Sequence, residues 1–192
     1  MNIRRRALWA AASLLLPVLI LGLYLGWLQW SGNFAPIIDG FAYRSNQPTP
    51  ARLAEYQATY GIRTVINLRG AAPGEAWYDQ EKQAAKDLGL TLIDVPLSSA
   101  RDLSDIELTQ LVALLRTVEG PVLIHCRSGS NRTGLAAAIY LSEIGRTDSA
   151  VAGDQLSLRF GHLSIPFRPE TFAMDRSWQR YLSLFAIRSG EK

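Results

Sequence analysis

Pro121-Val122-Leu123-Ile124-His125-Cys126-Arg127-Ser128-Gly129-Ser130-Asn131-Arg132-Thr133-Gly134 is the stretch from which the architecture follows. Gly120-Pro121 turns the chain into Val122-Leu123-Ile124, an apolar run too short for a helix, which reads as a buried central strand. The residues from Thr133 to Ile144, stopped by Gly145, read as a helix. Between strand and helix lies a loop of small and polar residues. Backbone N–H groups and a helix N-terminus converge on an anion in such a loop. Gly129, with Ser128 and Ser130 beside it, lets the main chain curl around a tetrahedral oxyanion.

Within this loop Arg132 offers a planar fork matched to two phosphate oxygens. Cys126, at the strand end, is aimed into the same cradle, where oriented N–H groups and Arg132 favour its thiolate. The phosphate-binding set is therefore Arg127, Ser128, Gly129, Ser130, Asn131 and Arg132. Arg127 projects outward, to meet a second phosphate, an acidic group or solvent. Thr133 is placed to hydrogen-bond the sulfur. His125 faces the opposite side of the strand from Cys126 and supports the loop through backbone contacts.

Working outward, strand and helix signals alternate. Phe41 to Arg44 reads as a strand, and Thr49-Pro50 opens a helix that runs to Tyr60 and stops at Gly61. Ile62 to Leu68 is β-branched and apolar, Glu75 to Leu88 is helical, and Leu90 to Val95 is a further strand. Ser104 or Asp105 caps a helix with Leu108, Leu111, Val112 and Leu115 on one face. Helices near 148–160 and 169–187 complete the domain. The expected fold is α/β, a central, mostly parallel sheet flanked by helices. Arg44 and Arg69, at strand ends, are expected in structural ion pairs.

Ahead of this domain, no charged residue occurs between Arg6 and Asp39. The 24 residues from Ala7 to Trp30 exceed the roughly 20 that span a bilayer core. Residues 1–30 are thus expected to be an uncleaved signal-anchor, 31–38 a linker and 39–192 the catalytic domain. Arg4, Arg5 and Arg6 hold the N-terminus in the cytoplasm and put the domain on the extracytoplasmic, in a bacterium periplasmic, side. Setting those three arginines aside leaves 17 basic residues against 17 acidic. The folded part is neutral, which argues against nucleic acid as a partner. Cys126 is the single cysteine, and His125 and His162 are the two histidines, so disulfide and multi-histidine metal chemistry are excluded.

His125-Cys126-x5-Arg132-Thr133-Gly134 resembles the signature of the protein tyrosine and dual-specificity phosphatases. Tyr43-Arg44-Ser45, Pro48 and Thr64-Val65-Ile66-Asn67-Leu68-Arg69 resemble the opening of the small atypical dual-specificity phosphatases of plants, fungi and bacteria. The chain resembles the bacterial members with export signals over residues 33–185. The resemblance implies hydrolysis through a cysteinyl-phosphate intermediate, without metal or cofactor. Cys126 is its nucleophile, Arg132 its phosphate clamp and Thr133 its leaving-group partner. A general acid is implied on the loop Ser98 to Asp105, where Asp102 is the choice over Asp105, a helix cap, and Asp94, a strand-end residue. Phosphotyrosine or phosphoserine/threonine proteins are the expected substrates, with inositol phosphates or phospholipid head groups as the alternative. A phosphate-binding module without catalysis is the reading of another class.

Overall fold

The computed structural model describes residues 3–185, with side chains for Ser13 and residues 15–185. Five strands form one sheet in the order β1-β2-β5-β3-β4: β1 (Ala35–Ile38), β2 (Ala42–Ser45), β3 (Thr64–Asn67), β4 (Thr91–Asp94) and β5 (Val122–His125). β5 pairs in parallel with both β2 and β3, and β4 joins β3 in parallel, while β1 is the antiparallel edge. The sheet is thus mixed and mostly parallel. The loop after β5 leaves from between β2 and β3, at the carboxyl ends of the parallel strands, where open α/β sheets bind ligands.

Among the described residues seven α-helices accompany the sheet: α1 (Ile3–Ser31), α2 (Pro50–Tyr60), α3 (Ala76–Asp87), α4 (Asp105–Thr117), α5 (Asn131–Glu143), α6 (Ser149–Gly153) and α7 (Ala173–Phe185). Their ends follow local chemistry. Thr49 caps α2 by accepting from the Arg52 N–H, and Gly61 ends it in the left-handed conformation (φ 67°). Ser104 and Glu107 form a reciprocal capping box at the start of α4.

One face of the sheet packs against α2 and α3 through Tyr43, Leu53, Tyr56, Val65, Ala85 and Leu123. The opposite face holds the larger core, where Leu108, Leu111 and Leu115 of α4 meet Ile66, Ile124 and α5. Each of these leucines is buried, contributing about 2 kcal/mol. α5 is buried from Thr133 to Tyr140, and its small residues Ala136, Ala137 and Ala138 let it lie close to the sheet. That burial fixes the direction of its N-terminus, against which the loop after β5 is set.

Several boundaries differ from the sequence expectations. Residues 35–38, expected in a linker, form β1, because Ala35 and Pro36 pair with Arg44 and Tyr43. α1 continues to Ser31 and turns directly into the domain at Gly32 and Asn33, both at positive φ. The expected 148–160 helix is broken into α6 and a 3-10 turn at Leu158–Phe160. The last helix begins as a 3-10 turn at Pro169–Phe172, and positions 186 and 187 of its expected span lie outside the described residues.

Among the described residues, no helix is long and apolar enough to cross a membrane. The anchor expected at Ala7 to Trp30 falls partly on residues 7–12 and 14, and its orienting Arg4, Arg5 and Arg6 wholly on residues, whose side chains lie outside that description.

Candidate active site

Cys126 stands one residue past β5, its side chain on the α4/α5 face of the sheet, 1% exposed. Burial acts most strongly on the thiol and opposes ionisation. Against it work the Thr133 hydroxyl, the charge of Arg132 and the backbone N–H groups of Thr133 and Gly129. Together they prevail, and the thiol lies below its ordinary range. Thr133 Oγ1 is buried and meets no partner at hydrogen-bond geometry, so its hydroxyl is free to serve the sulfur that it helps to stabilise. α5 starts at Asn131 with no side-chain cap and no acidic residue in its first turn, so its leading N–H groups are available to an anion.

The loop owes its curl to Gly129 at φ 74°, where a Cβ would sit 2.8 Å from backbone atoms of Ser45 and Asn46. Arg132 Nη1 donates to the carbonyls of Leu68 (3.2 Å) and Leu97 (3.1 Å), which clamps the guanidinium across the loop. Its Nε is buried with no partner. A buried donor without an acceptor costs about 1–3 kcal/mol, and a bound oxyanion beside it would remove that cost. The site can therefore hold a tetrahedral dianion against a thiolate, with the arginine already clamped in place.

The outer wall of the loop is braced by Gln29 and Asn33, which lie outside the signature. Ser128 O accepts from Gln29 Nε2 (3.1 Å) on the last turn of α1 and from Asn33 Nδ2 (3.0 Å). Asn131, expected among the phosphate-binding residues, turns its side chain away to His162 Nδ1 (3.0 Å). His162 Nε2 in turn lies 3.1 Å from Asp175. Ser128 and Ser130 bond each other through their hydroxyls (2.8 Å), and Arg127 is exposed. The contribution of positions 128–131 to anion binding therefore rests on the main chain.

His125 faces away from Cys126, as alternation requires, but its partner is not backbone. Its Nε2 lies 2.6 Å from Glu81 of α3, both side chains fully buried. The contact is one of proximity, since neither atom meets the alignment of a hydrogen bond. Arg44 and Arg69 are not in the ion pairs expected of them. Arg44 is fully buried and donates to the Gly129 and Gln155 carbonyls and to Gln155 Oε1. Arg69 stacks on Trp77, 3.2 Å from guanidinium carbon to ring centre, and donates to Gln47 Oε1 (2.8 Å). Burial first, then Arg132 and Arg127, pull its pKa down, so three arginines share the neighbourhood of the cradle.

The three aspartates considered as general acid are separated by their partners. Asp94 accepts from Asn67 Nδ2 (2.8 Å) and Tyr78 Oη (2.6 Å). That bond is the first cause of a Tyr78 pKa pushed up to about 12. Asp94 shares the α3 face with His125, on the far side of the sheet from Cys126. Asp105 is held by Arg180. Asp102 is gripped by Arg176 of α7 at 2.7–3.0 Å, and this bond keeps its carboxyl below the usual range. The loop around it is tied down by Arg101 on Glu107 and by the Leu103 N–H on Ser177 Oγ.

A family model described as "Swiss Army Knife protein, DSP-PTPase phosphatase domain" matches residues 35–177. The chain is 33% identical over 102 residues to the Beta-lactamase hydrolase-like protein of Xylella fastidiosa, covering 52% of this chain and 22% of that protein. It is 29% identical over 116 residues to the dual specificity protein phosphatase TpbA of Pseudomonas aeruginosa, covering 59% of this chain and 49% of TpbA. The matched segments thus span about a fifth and about half of those relatives. The crystal structure of TpbA superposes with a TM-score of 0.57 at 24% identity, over 81% of this chain and 92% of TpbA, and a further TpbA structure is a complex with pTyr. The catalytic core of the yeast PP-IP phosphatase SIW14 (S. cerevisiae) gives a TM-score of 0.57 at 21% identity, over 79% and 91% of the two chains. At these identities the solved structures establish the fold.

Proposed function

This chain belongs to the DSP-PTPase phosphatase family and is a cysteine-dependent phosphatase, and from that premise we propose that Cys126 is its nucleophile and phosphotyrosine on proteins its substrate. The observation that carries the chemistry is the buried Cys126 thiol, lowered by Thr133, Arg132 and Gly129, beside the unpartnered Nε of Arg132. The sulfur attacks phosphorus as the ester P–O bond breaks, and Asp102 gives the leaving oxygen its proton. Water then attacks the phosphocysteine, returning a proton to Asp102 and releasing phosphate and the thiolate, to which the Thr133 hydroxyl donates. For Asp102 to act, its loop must exchange the Arg176 contact for the substrate, a lid motion of a familiar kind.

The phosphotyrosine reading is supported by the depth of Cys126, which a phosphate on a long flat stem reaches, and by the neutral charge of the folded part. A second reading is favoured by Arg69. With Arg127 and Arg132 it makes the mouth more cationic than the sequence pattern suggested, which suits an inositol phosphate or an anionic lipid head group. The anchor at residues 1–30 is part of the same proposal. Leu15, Leu16, Val18, Leu19, Ile20 and Leu23 are all exposed on α1, an apolar surface that a bilayer would cover, with the domain extracytoplasmic.

The test compares kcat/KM for a phosphotyrosine peptide, phosphatidylglycerophosphate and an inositol polyphosphate, with chelator present, in the wild type and Cys126→Ser. Loss of at least ~10³-fold in the variant is expected on the preferred substrate. A preference above tenfold for either non-protein substrate would reverse the substrate assignment alone. Membrane fractionation of the full chain against a chain lacking residues 1–30 checks the anchor, which equal partitioning of the two would remove.

A further inference from the structure

Arg44 lies outside the catalytic signature, yet it is one of the most completely buried side chains in the protein. Its Nη2 donates to the Gly129 carbonyl at 2.6 Å, and its Nη1 to the Gln155 carbonyl (2.9 Å) and Oε1 (2.7 Å). The guanidinium carbon lies 3.8 Å over the Phe160 ring, and Nε has no partner. Every acceptor is neutral. A buried cation with no carboxylate is costly, and a protein ordinarily removes it or pairs it.

Two features of the loop explain why it is kept. Gly129 presents its carbonyl to Arg44 and its N–H to the Cys126 sulfur, so the same residue joins the arginine to the nucleophile. The Gly129 conformation, φ 74° with backbone of β2 packed where a Cβ would be, permits this split. The second feature is charge. Burial, its dominant influence, pulls Arg44 down to about 9, and the anion that opposes this is Cys126, while Arg159 adds to the depression.

Resting on the reading of Cys126 as nucleophile, we propose that Arg44 is a positioning residue of the active site: it holds the Gly129 carbonyl outward so that its N–H meets the sulfur, and its buried charge is balanced by the Cys126 thiolate. The other charges around the thiol are Arg132 on α5 and Arg69 after β3, with exposed Arg127 beside it. The His125–Glu81 contact lies across the sheet. Arg44 therefore acts from behind the loop, where it touches no substrate.

Because Cys126 is the only cysteine, the pH dependence of iodoacetamide alkylation of the full chain reads this thiol alone. Arg44→Met is expected to raise the alkylation midpoint by about one pH unit and to lower kcat/KM on an aryl phosphate roughly 10-fold at neutral pH. Arg44→Lys, which keeps the charge, is expected to raise the midpoint by less than Arg44→Met but still to lose turnover, since one ammonium cannot hold Gly129 and Gln155 together. Phe160→Leu loosens the packing under the guanidinium, so it should lower the melting temperature without moving the midpoint. A folded Arg44→Met with the wild-type midpoint overturns the proposal, as does a Phe160→Leu shift of equal size. Should Arg44→Met not fold, wild-type turnover in Arg44→Lys overturns it. A wild type whose thiol titrates as described but which turns over no phosphoester would instead count against the phosphatase reading.

Discussion

Replacing Arg132 with lysine keeps the charge and removes the fork. Nη1 of Arg132 is committed to the Leu68 and Leu97 carbonyls at 3.2 and 3.1 Å, while Nε stands unpartnered. A lysine ammonium reaching the phosphate abandons both carbonyls, of which Leu68's keeps the Leu97 N–H and Leu97's is stranded, and one reaching the carbonyls abandons the phosphate. A hydrogen bond to a charged group is worth about 1.5–3 kcal/mol, and a buried acceptor left alone costs about 1–3 kcal/mol. Losing one phosphate contact and stranding one carbonyl, with the point charge retained, amounts to about 3–4 kcal/mol in the transition state. That is roughly 10²–10³-fold in kcat/KM. The assay is aryl phosphate hydrolysis in chelator, paired with vanadate inhibition to read binding of the trigonal-bipyramidal mimic. A variant within about threefold of wild type in both would refute the clamp geometry as the source of Arg132's contribution.

Asp102→Asn should lower turnover roughly 10²-fold, and less for an ester with a very acidic leaving group. If Asp94→Asn or Asp105→Asn shows that leaving-group dependence instead, Asp102 is not the acid. Arg176→Met, which removes the bond that lowers Asp102, should carry the basic limb of the pH–rate profile upward, and an unmoved limb would speak against the assignment. Gly129→Ala must adopt a left-handed φ with its Cβ 2.8 Å from the β2 backbone, so a loss of about 2 kcal/mol in thermal melts should accompany loss of activity; a native melt would show the loop to be freer than the structure indicates. Glu107→Gln keeps an amide oxygen for the capping box but removes the charge paired with Arg101, so it should cost under about 1 kcal/mol of stability in chemical denaturation. The Arg101 bond, then the Ser104 N–H, hold the Glu107 carboxyl down at about 2, below its ordinary 4.5. Its contribution is therefore full above pH ~4.5 and fades as pH falls toward ~2, so the wild type and variant should converge in acid denaturation.

The strand–loop–helix arrangement of the candidate site could be read from the chain because it is local. A strand, a glycine-bearing turn and a helix start occupy consecutive positions, so Cys126, Gly129, Arg132 and Thr133 are brought together by backbone geometry that a run of 10 residues specifies. The face to which His125 points followed equally from strand alternation. Its partner did not, because Glu81 lies 44 positions earlier on a helix whose rotation only packing against the sheet sets. Residues 35–38 were unreadable as a strand for a similar reason. An edge strand of 4 residues carries little pattern, and its pairing with β2 supplies the hydrogen bonds that define it.

Charge was the least legible property. Composition shows a neutral folded part, but composition has no distances. Only the tertiary structure decides that Arg101, Arg176 and Arg180 are spent on Glu107, Asp102 and Asp105, while Arg69 stays at the mouth and Arg44 is buried behind the loop. The sequence by itself determined the proposed chemistry, because Cys126, Arg132 and Thr133 are neighbours along the chain. What surrounds that chemistry, including the brace from α1, the partner of each aspartate and the counter-charge of the thiol, is decided by contacts between residues far apart in sequence. Those contacts exist only once the sheet has ordered its strands and α5 is buried against it.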